Sequence, residues 1–209
     1  MKRSLAIFLF ILTMLSVPAV YGQQDEAEKV ARDRTREQLA ALLEKFGPEI
    51  KVEFKQSQKQ PYNYMGSLTA GLVNAQSFEI VISVTTKDTI GFRVYPHYKD
   101  GYINVGKVND ATSLMQLLLR LSDRAFLFWG VDESLDVFTG YTFTLESGFP
   151  QEAITIVLRS IVNSDKFVGE MRPFLDAPIA DVVETKPITP AAKPTVPTTP
   201  GRKPSRRRP

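Results

Sequence analysis

The sequence predicts an α+β domain: a single antiparallel sheet of about five strands with helices packed on one face, in the order αβββαββα. Three observations carry this. Two runs with strict period-two alternation follow one another across a three-residue link, as hairpin strands do. Leucines and isoleucines recur at helical spacing on either side of a second alternating pair. No internal repeat and no GxGxxG interrupts the pattern, and the one GxxxxGK spacing, Gly101 to Lys107, is followed by Val108 in place of the Ser or Thr that completes a phosphate loop.

The first helix is read in EAEKVARDRTREQLAALLEKFGP, where Leu39, Leu42, Leu43 and Phe46 keep to one face and Gly47-Pro48 supplies the stop. A short strand is expected at Ile50 to Phe54. Pro61, Gly66 and Gly71 then mark residues 56 to 76 as a long loop. In SFEIVISVT, Phe78, Ile80, Ile82 and Val84 alternate with Glu79, Ser83 and Thr85, and TIGFRVYPHY repeats the pattern with Ile90, Phe92 and Val94. GYINVGK, after a Lys-Asp-Gly turn signal, completes a meander of three strands.

Asn109 or Asp110 caps a helix carrying Leu114, Leu117, Leu118 and Leu121. Two strands follow around the acidic turn at Asp132, Glu133 and Ser134. In the second, Tyr141, Phe143 and Leu145 point one way and Thr142, Thr144 and Glu146 the other. A last helix begins near Ser147–Pro150, with Ile154, Val157, Leu158 and Ile161 on one face. Its apolar surface continues through Phe167, Val168, Met171, Phe174 and Leu175.

Three regions divide the chain. Residues 1 to 22, with Lys2 and Arg3 ahead of an apolar run broken at Pro18, read as a signal peptide cut after Gly22 or after Ala19. The run from Leu5 to Val20 is shorter than the ~20 residues of a spanning helix. Export by a Sec-type signal to the periplasm or beyond is therefore expected. Residues 25 to 176 form the folded domain. Residues 177 to 209 read as a disordered, Pro-rich basic tail: from Lys186 onward the chain holds half of its 14 prolines, seven basic residues and no acid.

Charge follows the same division. The tail's +7 and the leader's +2, out of a total of +3, leave −6 on residues 23 to 185. The folded part is therefore acidic, and the basic character sits in the tail. The cluster Arg202, Lys203, Arg206, Arg207 and Arg208 fits an anionic envelope polymer or lipid by charge alone. It lacks the aromatic residues that stack bases, so specific nucleic-acid recognition is not expected.

Chemistry finds little support. The chain has no cysteine, which removes disulfides, thiol catalysis and thiolate metal sites. His97 is the one histidine, placed on the polar parity of a strand beside Arg93 and Tyr95, and reads as a surface residue. Asp132, Glu133 and Asp136 crowd one short turn, where acids serve turn formation more often than they span a cleft. No enzyme activity, cofactor or metal is expected.

The stretch from Leu117 to Leu175 resembles the YbjN-like family, which shares the fold of type III secretion chaperones. The residues that carry it are the leucine helix ending RLSDR, the pair FLFWGVD and VFTGYTFTLE around an acidic turn, and FPQEAITIVLRSIVNSDKFVGEMRPFL. The match covers about a third of the chain well and the meander loosely. It departs at Ser122-Asp123, where the family commonly has Asn, and in carrying a leader and a basic tail. The resemblance implies a mostly intracellular group associated with protein binding or regulation, and brings no catalytic or cofactor-binding residues.

One surface is singled out. With Leu127, Trp129 and Val131 facing the core, Phe126 and Phe128 fall on the opposite side of their strand. The outer face then presents Tyr95, Phe126 and Phe128 among Glu79, Arg93, Thr142 and Thr144, an aromatic patch with a polar rim. It would dock another protein or a second copy in a dimer. Alternatively, the loop bearing Tyr62, Tyr64 and Met65 folds over it. A different function, small-molecule or lipid binding, would use Tyr62, Tyr64 and Trp129 to line a pocket between loop and sheet.

Overall fold

The computed structural model describes residues 18 to 99 and 101 to 176, with side chains from residue 25. These belong to one unit, Met1–Ile179, set apart from Ala180–Pro209. The tail, including its arginine cluster, and the leader up to residue 17 lie outside the described residues.

Helix α1 spans Pro18–Phe46 and ends in a 3-10 turn at Gly47–Ile50. Strands β1 (Lys55–Gln56), β2 (Asn63–Leu68), β3 (Ser77–Thr86), β4 (Thr89–Tyr98) and β5 (Gly101–Tyr102) follow. Helix α2 is Ala111–Arg124, its first turn capped by Asp110, whose carboxylate accepts from the Ser113 N–H. Then come β6 (Phe128–Val131), β7 (Val137–Thr144), α3 (Gln151–Ser160) and α4 (Asp165–Leu175). The sheet is antiparallel throughout, in the order β1-β2-β3-β4-β7-β6, with β5 as a stub on β4.

One buried cluster unites the layers. Alternate residues of β3 and β4 (Ile80 opposite Val94, Ile82 opposite Phe92) are fully buried. They meet Leu39 and Leu43 of α1, Leu114 and Leu118 of α2, Ile154 of α3 and Met171 of α4. Burying these side chains, each worth about 1.5–3 kcal/mol, sets the register, because a one-residue slip would turn the whole row outward.

Among the described residues there are seven strands where about five were expected, and the element order is αβββββαββαα. The expected loop 56 to 76 contains β2, which pairs with β3 over its whole length. Gly66 hid this strand, since it occupies an inward position where the alternation calls for an apolar side chain. Val52 and Phe54 fill the vacancy: a Cβ built on Gly66 would lie 2.5 Å from Val52 Cγ1 and 2.9 Å from the Phe54 ring. For the same reason the strand expected at Ile50 to Phe54 is absent, and pairing begins only at Lys55.

The expected third meander strand shrinks to Gly101–Tyr102. Beyond it, Ile103 and Val105 turn into the core and Val105–Lys107 forms a 3-10 turn. The position beside β4 goes to β7, which pairs with it from Thr89 to Val94. The long last helix is likewise divided, by a 3-10 segment at Ile161–Ser164.

Candidate interaction surface

Register alone assembles the face turned away from the helices. One cross-strand line reads Met65, Val81, Arg93, Gly140, Phe128, and its neighbour reads Asn63, Ser83, Gly91, Thr142. On the other side, Glu79 pairs with Tyr95, and His97 with Tyr102. Side chains at such positions pack with their cross-strand partners.

An aromatic row runs across this face. Phe128 meets Phe138 edge-on at 5.7 Å between ring centroids, Phe138 meets Tyr95 at 5.7 Å, and Tyr95 meets Tyr102 edge-on at 5.8 Å. His97 closes the row, 4.3 Å from the Tyr102 ring. Two glycines make room: the Phe128 ring lies over Gly140, and the Phe138 ring over Gly130. Phe138 is buried beneath its neighbours, whereas Phe128 and Tyr102 are each 43 % exposed.

Polar groups are built into the row. The Tyr102 hydroxyl donates to Glu79 Oε2 at 2.7 Å, and His97 Nε2 lies 3.7 Å from the same oxygen. Burial, the bond to Glu79 and the negative charges of Glu79 and Asp136 push the Tyr102 hydroxyl up to about 12. Arg93 sets its guanidinium over the Phe138 ring at 4.6 Å and donates to the Tyr95 hydroxyl at 3.4 Å. His97 is thus half-buried within this cluster rather than a free surface residue.

Tyr95 and Phe128 therefore share one surface, joined through Phe138. Phe126 does not. It precedes β6, is 64 % exposed and stacks on Tyr141 at 4.8 Å, which in turn packs on Phe143. Tyr141 pairs with Phe92 and has the parity of the core, so Phe126 stands at the helix side of the sheet margin. It lines a small cavity there with Lys166 and Phe167. The expectation failed because the strand was drawn two residues too long at its start.

The loop alternative is likewise replaced. β2 extends the sheet rather than covering it, and Met65 joins the outer face. Tyr62 lies under the Arg32 guanidinium at 3.7 Å and donates to Asp33. Tyr64, on β2, and Trp129, on β6, stand near opposite margins of the sheet, so no pocket gathers Tyr62, Tyr64 and Trp129. Trp129 packs edge-on against Phe167 at 6.0 Å. Tyr64 lines a different cavity, of about 590 Å³, with Ala40, Leu43, Val52 and Phe54.

The acidic turn has a structural occupation. Asp132 Oδ1 accepts from the N–H groups of Ser134 and Asp136 at 2.9 and 3.0 Å, and Asp136 accepts from the Asn104 amide at 2.7 Å. Among the described residues no group of three or more His, Cys, Asp and Glu is placed to hold a metal ion.

Sequence reading missed Phe138, Tyr102 and the pairing of His97 with Glu79. Phe138 had a signal, since it shares its parity with Gly140 and Thr142. Tyr102 had none, because its place depends on how soon β5 ends. The chain matches no protein-family model, no curated protein and no solved structure.

Proposed function

We propose that this chain is an exported, non-enzymatic protein-interaction module of the YbjN-like kind, chaperone-like or regulatory in role. Its open sheet face docks a partner protein or a second copy of itself. The observation that carries the reading is the aromatic row, with Phe128 and Tyr102 each 43 % exposed on a face turned away from all four helices. Exposed aromatics rimmed by polar groups are the composition of protein interfaces. Export through residues 1 to 22, and weak contact of the Arg202–Arg208 region with an anionic envelope polymer or lipid, belong to the same proposal.

The test is in-cell cross-linking of the tagged mature protein, followed by mass spectrometry. Phe128→Ser is expected to lose the captured partner, and Phe126→Ser to keep it. Capture that survives Phe128→Ser would overturn the docking surface. Truncation after residue 185 is expected to reduce salt-sensitive retention at the envelope, and unchanged retention would remove the tail from the reading.

A second reading, small-molecule or lipid binding, is favoured by the apolar cavity of about 590 Å³ beside Tyr64. It predicts a raised thermal unfolding midpoint in the presence of a lipid extract. No change in that midpoint would dismiss it.

A further inference from the structure

Beside the aromatic row the outer face dips into a trough of about 480 Å³. Its floor is Gly91, flanked across the strands by Ser83 and Thr142. A side chain at this central position would fill the trough. A Cβ built on Gly91 meets only the Thr85 methyl, at 3.2 Å, and the Ser83 carbonyl oxygen, at 3.9 Å. Glycine inside a strand costs about 0.5–1 kcal/mol and often marks a close approach by a ligand or another backbone.

The lining is selective in charge. Arg93 is its one cation and no carboxylate lines it. The contacts of Arg93 are the Phe138 ring and the Tyr95 hydroxyl, and among the described residues it makes no ion pair. On a fold whose middle carries −6, a cation left without a counter-ion beside exposed rings suits an incoming anion. A guanidinium takes a carboxylate best, through paired N–H···O bonds.

The remaining groups suit a peptide. Gln60 and Asn63, whose amides are joined by a bond from Asn63 Nδ2 to Gln60 Oε1, keep the Gln60 Nε2 and Asn63 Oδ1 at one wall, and the Ser83 and Thr142 hydroxyls have no partner among the described residues. These can bond the backbone of an extended chain. Val81 and Phe128 offer apolar contact to a neighbouring side chain, where the hydroxyls of a sugar would go unbonded.

We infer that the trough over Gly91 seats an extended segment of the partner protein, with Arg93 holding a carboxylate of that segment while Phe128 and Tyr95 pack its adjacent side chain. This rests on the docking reading above and names the chemistry that the partner must bring.

The test uses the mature full chain and a fluorescein-labelled octapeptide alternating glutamate with leucine. Anisotropy is followed at salt above physiological strength, so that the basic tail contributes little. The control peptide carries glutamine for glutamate, and oligogalacturonate tests a sugar source of the same carboxylate. The glutamate peptide is expected to bind about tenfold or more tightly than its glutamine counterpart, the worth of one charged hydrogen-bonded pair. Arg93→Gln should remove that preference and Gly91→Val should block binding, while Arg120→Gln, at an exposed position of α2, should leave binding unchanged.

Equal affinity for the two peptides, indifference to Arg93→Gln, or tighter binding of oligogalacturonate would each overturn the inference. Its failure is separable from failure of the docking surface. If Phe128→Ser loses the cross-linked partner and Arg93→Gln keeps it, the face stands and the carboxylate anchor falls.

Discussion

Asp165 gathers a whole loop by itself. It is 6 % exposed and accepts from the backbone N–H groups of Val73, Asn74 and Ala75 at 2.7 to 3.0 Å, with the Asn74 amide adding a fourth bond at 3.1 Å. Burial by itself would raise its pKa, but the N–H groups favour the ionised form and hold it below the usual carboxylate range. A depressed folded value adds stability above the unfolded pKa near 4, and that stability is lost as pH falls through the folded value. Asp165→Asn should therefore cost about 2–3 kcal/mol at neutral pH. The gap to the parent should close as the medium is acidified below about pH 4. Urea unfolding followed by emission of Trp129, the chain's one tryptophan, measures both. A gap independent of pH would mean that the charge is irrelevant. Nothing in NSDKF announces this role, because the partners lie some 90 residues away and pair only once the sheet and α4 are both in place.

At the level of elements, the sheet's margins are closed in two ways. β1 is only two residues long and carries Lys55, which leaves little edge to pair with. β6 has a free margin, and α2 covers it with one hydroxyl. Ser122 Oγ accepts from the Trp129 N–H at 2.7 Å and lies 3.1 Å from the Trp129 carbonyl oxygen, to which it can donate. The N–H that a further strand would use at Trp129 is thereby occupied, while the one hydroxyl proton is shared between the Trp129 carbonyl and that of Leu118, 3.0 Å away. Ser122→Ala leaves the Trp129 N–H unpaired, at a cost of about 1–3 kcal/mol. A lower urea midpoint together with concentration-dependent light scattering is expected. A fully monomeric variant would show that the edge is closed by something else. The leucine spacing of α2 and the alternation of β3 and β4 made these elements legible, since each carries its own apolar period. β2 was not legible, because a glycine stands at one of its core positions and the side chains filling that space come from Val52 and Phe54.

Taken as a molecule, the fold closes its margins and covers one sheet face, leaving the other face as its main exposed aromatic surface. How much of that surface could be read depended on range. Tyr95 and Phe128 could be placed by parity within their own strands, and their partnership emerges because β7 lies between β4 and β6 and brings Phe138 into contact with both. Phe126 misled because parity holds only inside a strand, and its strand begins two residues later. His97 and Tyr102 needed the position of β5, which rests on competition between two segments for the same flank of β4.

The glycines beneath the rings also limit how this face can vary. A methyl group added at Gly140 would sit 2.6 Å from the Phe92 carbonyl oxygen, which belongs to the backbone of the central strand and has little room to yield. Change on the face is thus channelled into the rings and away from the positions under them. A lineage could exchange Phe128 for another flat side chain and retarget the surface, while the glycine below stays put as the mould.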